Sequence, residues 1–140
     1  AMPRRVGTGV DPKRLAMIVA VLSRHGQVNL GQSDVYVNVA GGVRIDEPGA
    51  DLGIALAIAS AAKGAPLHQD LACFAEIGLT GRLRTVPQSE QRALECAKFG
   101  LGRVVVAAET KVSGDIDLVS AETLRDALEL AIDTSRGDRT

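Results

Sequence analysis

The sequence predicts a layered α/β fold, a mixed sheet packed with helices, and three observations carry that prediction. Apolar residues recur at helical spacing around residues 12–26, 48–60 and 89–100. Between them lie a stretch in which Val35, Val37 and Val39 alternate with Tyr36 and Asn38, and two short apolar runs, Leu71 to Leu79 and Arg103 to Ala108. The whole is 140 residues, enough for one domain with a sizeable core and too few for two ordinary ones.

Composition narrows the function classes. Hydrophobic residues make up 46% of the chain, mostly Ala, Val, Leu and Ile, and Tyr36, Phe74 and Phe99 are its aromatics, so small side chains pack the layers closely. Gly or charge interrupts every long apolar run, and the N-terminus lacks the charged-then-apolar order of a signal peptide, so a soluble cytoplasmic protein without membrane contact is expected. Cys73 and Cys96 stand far apart without a Cys-x-x-Cys or Cys/His spacing, and His25 and His68 are isolated. Buried reduced thiols and surface or capping histidines are therefore expected, with no metal site in this chain. A net charge of −1 removes the simplest argument for nucleic-acid binding, which then requires a local patch or assembly. No Gly-x-x-x-x-Gly-Lys-Ser/Thr loop is present, so no ATP site is expected within these residues.

Residues 1–10 read as a basic leading segment, with Ala1-Met2 expected to be a cloning remnant. A helix then starts at Asp11, whose carboxylate can accept from first-turn amides, with Pro12 at its first position. Leu15, Ile18, Val19 and Leu22 form its apolar stripe, which ends near His25 and Gly26. The alternating strand after it stops at Gly41-Gly42, and Val43-Arg44-Ile45 is short but suits the return arm of a hairpin. Asp46 and Glu47 place carboxylates at the positive end of a second helix, which Pro48 opens. From Ala50 to Ala59 that helix has almost no polar face, so it is expected to be central and covered on most sides. Leu71 to Leu79 reads as one strand, and Thr80 to Val86 as a turn and a short strand with Arg82 and Arg84 on one face. Ser89 is expected to cap a third helix with Ala93, Leu94 and Ala97 inward and Gly100 ending it. A buried strand over Arg103 to Ala108 follows. Ser120 is expected to start a last helix through Leu124, Ala127, Leu128 and Ala131, and residues 134–140 to be a flexible tail.

Three stretches together, "DPKRLAMIVAVLSRHG", "DVYVNVAGGVRIDEPGADLGIALAIAS" and "FAEIGLTGRLRTVPQSEQRALECAKFG", resemble one family: the C-terminal Lon-protease-like domains of bacterial RadA (Sms) DNA-repair proteins. The resemblance runs from about Pro3 to Ala108 and implies a Lon-protease-like (ribosomal-protein-like) fold over residues 11–133. In Lon peptidases the turn that here reads Glu47-Pro48-Gly49-Ala50-Asp51 is Gly-Pro-Ser-Ala-Gly. Gly49 therefore occupies the nucleophile position and has no oxygen to attack with. The resemblance assigns the general-base position to Arg82, and a guanidinium stays protonated near neutral pH. Glu47 and Asp51 replace glycines and set negative charge where an oxyanion would develop. Ala75 and the stretch "VAAET" are local departures from the family pattern, as is Arg82, where many of its members are acidic.

The resemblance implies a pseudo-peptidase domain of a hexameric, ATP-dependent branch-migration helicase in homologous recombination. Its expected partners are single-stranded or branched DNA, its own protomers in the ring, and the RecA recombinase. ATP with magnesium, and zinc, are expected only in other parts of such a protein. Candidate phosphate contacts are Lys13, Arg14, Arg24, Arg44, Arg82, Arg84, Arg92 and Lys98, with Arg4, Arg5 and Arg103 as further basic residues. Each is weighed against a solvated or locally paired role, as for Lys98 with Glu95 one helical turn away. The alternatives are an oligomerisation scaffold that touches no nucleic acid and a residual serine peptidase using another hydroxyl.

Overall fold

The computed structural model describes residues 2–114 and 116–137. Its elements, in chain order, are β1 (Arg5–Thr8), α1 (Pro12–His25), β2 (Val35–Asn38), α2 (Asp51–Lys63), β3 (Leu71–Phe74) and β4 (Glu76–Ile77). They continue with β5 (Leu83–Arg84), α3 (Ser89–Lys98), β6 (Arg103–Ala107), β7 (Leu118–Ala121), α4 (Leu124–Ala131) and α5 (Thr134–Gly137). The α/β class is as expected. Parallel and antiparallel pairing both occur, but in separate small sheets: β1-β2 parallel, β3-β6-β7 parallel, and β4-β5 antiparallel.

Helix α1 forms where its signals lie. The Asp11 side chain accepts from the Lys13 amide at 3.4 Å, Pro12 opens the first turn, and Leu15, Ile18 and Leu22 are fully buried. Central strand β6 is covered on both faces, which explains its nearly unbroken apolar sequence. Val105 and Ala107 join the main core beneath α1, α2 and α4, while Val104 and Val106 join Phe74, Val86 and Ala93 on the side of α3.

Several expectations are corrected. The leading segment supplies β1, which four residues and a glycine were too little to announce. Val43 to Ile45 is not a hairpin arm: Gly41 and Gly42, with φ of 85° and 69°, turn the chain so that Ile45 bridges Val10 in parallel instead. Leu71 to Leu79 is two strands, because Ala75 leaves the sheet to bond the turn before α2. Its N–H donates to Gly49 O at 3.1 Å, and its carbonyl accepts from Leu52 N at 3.2 Å.

Ser89 does not cap α3. Its hydroxyl donates to Val86 O at 2.8 Å, and Gln88 takes the cap position with φ of 61°. Ala93 does face inward, but Leu94 and Ala97 are exposed. Ser120 lies in β7, since pairing with β6 overrides its helix-start appearance, and Thr123 caps α4 by accepting from Asp126 N at 3.1 Å. The tail expectation meets a short helical turn, α5; the rest of it, residues 138–140, lies outside the described residues. Helix α2 is covered as expected except along Ala57, Ala61 and Ala62, which are exposed. Among the described residues no helix is long and apolar enough to cross a membrane.

Candidate nucleic-acid interface and the turn before α2

The turn at Glu47 to Asp51 is built by a short 3₁₀ segment, Pro48–Ala50, that feeds directly into α2. Gly49 is buried there, and what faces it is the key geometric fact. A Cβ placed on Gly49 would lie 2.9 Å from Arg92 Nη1 and 3.5 Å from Val86 Cγ1. The cation set against Gly49 is thus Arg92, from α3, and not Arg82. Arg92 is held from both ends: its Nη2 pairs with Glu47 Oε1 at 3.0 Å and its Nε donates to Pro87 O at 2.9 Å. Arg82 instead bridges Thr123 and lines an open groove with Arg84, Thr85, Ala107, Glu109 and Glu122. The resemblance pointed to Arg82 as the cation of this turn, whereas the docking of α3 folds Arg92 back over Gly49.

Asp51 is the buried charge of the site, 1% exposed. Arg14 Nε donates to its Oδ1 at 2.6 Å, Arg14 Nη2 to its Oδ2, and Ile77 N–H to Oδ2 at 3.0 Å. Arg14 Nη2 also lies 3.4 Å from Glu76 Oε2. A bidentate guanidinium plus a backbone donor satisfies a buried carboxylate that would otherwise be strongly unfavourable. The hydrogen bond to Asp51 raises the Arg14 pKa further, against the opposing effect of burial. This network ties α1, α2 and β4 together.

The eight candidate phosphate contacts therefore divide. Arg14 and Arg92 are engaged within the turn. Arg44 pairs with Asp46 at 3.1 Å and Lys98 with Glu95 at 3.3 Å, both at exposed positions where such pairs are weak. Lys13, Arg24, Arg82 and Arg84 are exposed and form no ion pair among the described residues. Arg82 and Arg84 line one groove. His25 at the end of α1 packs so closely on Gly81 that a Cβ there would lie 2.7 Å from His25 Cβ, so the helix end that carries Arg24 docks on the turn before Arg82. Arg82 and Arg84 flank buried Leu83 and share the outer face, as the alternation predicted. Lys13 lies at the other end of α1, about 17 Å away at 1.5 Å per residue. Of the further basic residues, Arg5 is structural, donating to Leu30 O at 2.9 Å.

Other chemistry can be placed as well. Cys73 and Cys96 are free and half-buried, and burial pushes the Cys73 thiol up to about 12, with the nearby Cys96 adding to the shift. Burial also raises Cys96. Ser135 Oγ donates to Asp133 Oδ1 at 2.6 Å, and Asp133 Oδ2 lies 3.8 Å from His68 Nδ1. That order hands the hydroxyl proton to a carboxylate and not to an imidazole, the reverse of a nucleophile–base pair. Among the described residues no three His, Cys, Asp or Glu side chains converge to hold a metal.

Comparison with known proteins gives the lineage. The family model described as subunit ChlI of Mg-chelatase matches residues 12–110. The DNA repair protein RadA of Escherichia coli K12 is 42% identical over 133 residues, covering 93% of this chain and 29% of that protein. RadA of Salmonella typhimurium is 47% identical over 108 residues, covering 77% and 24%. RadA of Bacillus subtilis is 37% identical over 135 residues, covering 93% and 29%. The chain thus spans less than a third of the length of these curated relatives. With most of its length matched by that model and its relatives named for DNA repair, the chain belongs to the ChlI-type domain family and, within it, to the RadA group.

Proposed function

We propose that the chain is a Lon-protease-like, non-catalytic domain of a RadA-type repair and recombination protein. It contacts DNA through Arg24, Arg82 and Arg84 and joins copies of itself in a ring. The observation that carries this reading is the division among its cations. Arg14 and Arg92 neutralise Asp51 and Glu47 inside the turn, whereas Arg82 and Arg84 line one groove, Arg24 ends the helix that docks on Gly81 through His25, and the three form no ion pair among the described residues. At the turn itself Gly49 supplies no hydroxyl, and the facing guanidinium of Arg92 cannot accept a proton. A peptidase role is therefore the weakest reading. In this proposal, ATP-driven branch migration and the ATP, magnesium and zinc sites belong to other segments of such a protein, and a RecA-type recombinase is a further partner.

Glu109 and Glu122 line the same groove as Arg82 and Arg84, so binding by one copy is weak and ring assembly raises it through effective concentration. The test is fluorescence anisotropy with single- and double-stranded oligonucleotides between about 50 and about 200 mM salt. Three phosphate contacts predict a log–log salt slope near −2.7 on duplex, about a 40-fold loss across that range. Charge reversal of Arg82 and Arg84 to glutamate is expected to flatten the slope by about 1.8 while light scattering shows assembly unchanged. A flat slope in the parent protein would reject DNA contact.

The second reading, a scaffold without nucleic acid, is favoured by one observation: Leu94 and Phe99 are 49% and 77% exposed on and just after α3. If the double charge reversal abolishes assembly and DNA binding never appears, the scaffold reading replaces the first.

A further inference from the structure

Strand β2 carries an open edge. Its ladder to β1 uses Val35 N, which donates to Arg4 O at 2.8 Å, and Val39 N, which donates to Thr8 O at 3.0 Å. Backbone groups alternate in direction along a parallel strand, so the N–H and C=O of Tyr36 and Asn38 point to the opposite side. No described strand pairs there, since β2 neighbours β1 alone. Unpaired edges are ordinarily blunted by Lys, Pro or a bulge, and "VYVN" contains neither residue type.

Beside this edge runs a groove of about 500 Å³ between β2 and α2. Leu30 and Ile58 contribute to it, and its far wall is the exposed strip of α2, Ala57, Ala61 and Ala62. This is the strip that left the second helix less covered than its apolar sequence predicts. Small wall residues beside a row of free donors and acceptors leave room for one more strand.

We infer that the β2 edge is a strand-addition site for an extended segment of a partner protein, with medium-sized apolar side chains at alternate positions facing α2. The free main-chain groups specify an extended backbone, and the alanine wall specifies side chains of roughly valine size. A second copy of the chain fits less well, because its own β2 arrives with its own α2, and the two helices would compete for one groove. This site is separate from Arg24, Arg82 and Arg84 and does not depend on them.

The test uses a defined probe, an acetylated Thr-Val-Thr-Val-Thr-Val peptide, and the same peptide N-methylated at alternate residues to remove donors from one edge. Tyr36 is the single tyrosine and the chain has no tryptophan, so tyrosine anisotropy reports on this strand directly. The unmodified peptide is expected to raise Tyr36 anisotropy saturably and to slow amide exchange of Tyr36 and Asn38 by at least about tenfold. Asn38→Pro removes a donor on the open side and leaves the β1 ladder intact, so it is expected to lose the response while melting near the parent temperature. Ala57→Lys is expected to lose it by blocking the wall, which keeps the inference testable if the proline variant misfolds. Equal binding of the N-methylated peptide would reduce the site to apolar contact and overturn strand addition. So would protection of Tyr36 and Asn38 that grows with protein concentration in the absence of peptide, because a second copy would then be the occupant.

Discussion

Replacing Arg14 by alanine tests whether the cation on α1 acts inside the protein or at a nucleic-acid surface. The substitution leaves Asp51, 1% exposed, with the Ile77 N–H at 3.0 Å as its one remaining donor among the described residues. Breaking a buried ion pair by removing one partner costs about 3–5 kcal/mol. Arg14 is itself 32% exposed, so water can enter part of the vacated space, and the lower end, about 3 kcal/mol, is expected. With a urea slope near 2 kcal/mol/M, that is a midpoint shift of about 1.5 M. Asp51→Asn keeps an acceptor for the Ile77 amide without the charge, so the Arg14→Ala/Asp51→Asn double variant is expected to recover at least about 1 kcal/mol relative to additivity. The control is Arg44→Ala, whose pair with Asp46 is two-thirds exposed on both sides and is worth about 0.5 kcal/mol or less. Urea unfolding of the four variants decides the matter. An Arg14→Ala cost within about 0.5 kcal/mol of the Arg44→Ala cost would refute the argument from burial, as would a double variant that is merely additive.

Three further outcomes are expected. Gly49→Ser should displace the end of Arg92, whose Nη1 would stand 2.9 Å from the new Cβ, and cost about 1 kcal/mol through the lost Glu47 pair; casein turnover by the parent protein, abolished by replacing one of its own serines, would contradict the non-catalytic reading. Gly81→Ala should cost about 3 kcal/mol in urea unfolding, because φ is +86° and the added carbon would lie 2.7 Å from His25 Cβ, combining backbone strain with overpacking. Cys73 is protonated in folded and unfolded states below its usual 9.0, but between 9.0 and about 12 only the unfolded chain ionises. Stability should therefore fall as pH rises through that window, by up to about 1.4 kcal/mol per pH unit, and Cys73→Ala should remove that part of the slope.

Local signals were legible wherever a segment decides its own structure. Asp11-Pro12 and the stripe from Leu15 to Leu22 specify α1, because capping and periodicity operate within one helix. The unbroken valines of β6 announce a strand covered on both faces. That Gly49 offers no hydroxyl is likewise a statement about residue chemistry and needs no coordinates. What the chain could not announce are the choices made by distant partners. β1 and β7 are strands because β2 and β6 pair with them, and Ala75 breaks a continuous apolar run because the turn before α2 claims its backbone. The same holds for charge: Arg14, Arg82 and Arg92 are alike in sequence, and only packing decides that two of them close over buried or turn carboxylates while the third stays at the surface. Residue type sets what a side chain is able to do, but its job depends on neighbours brought from far along the chain, and those are fixed only when the layers meet.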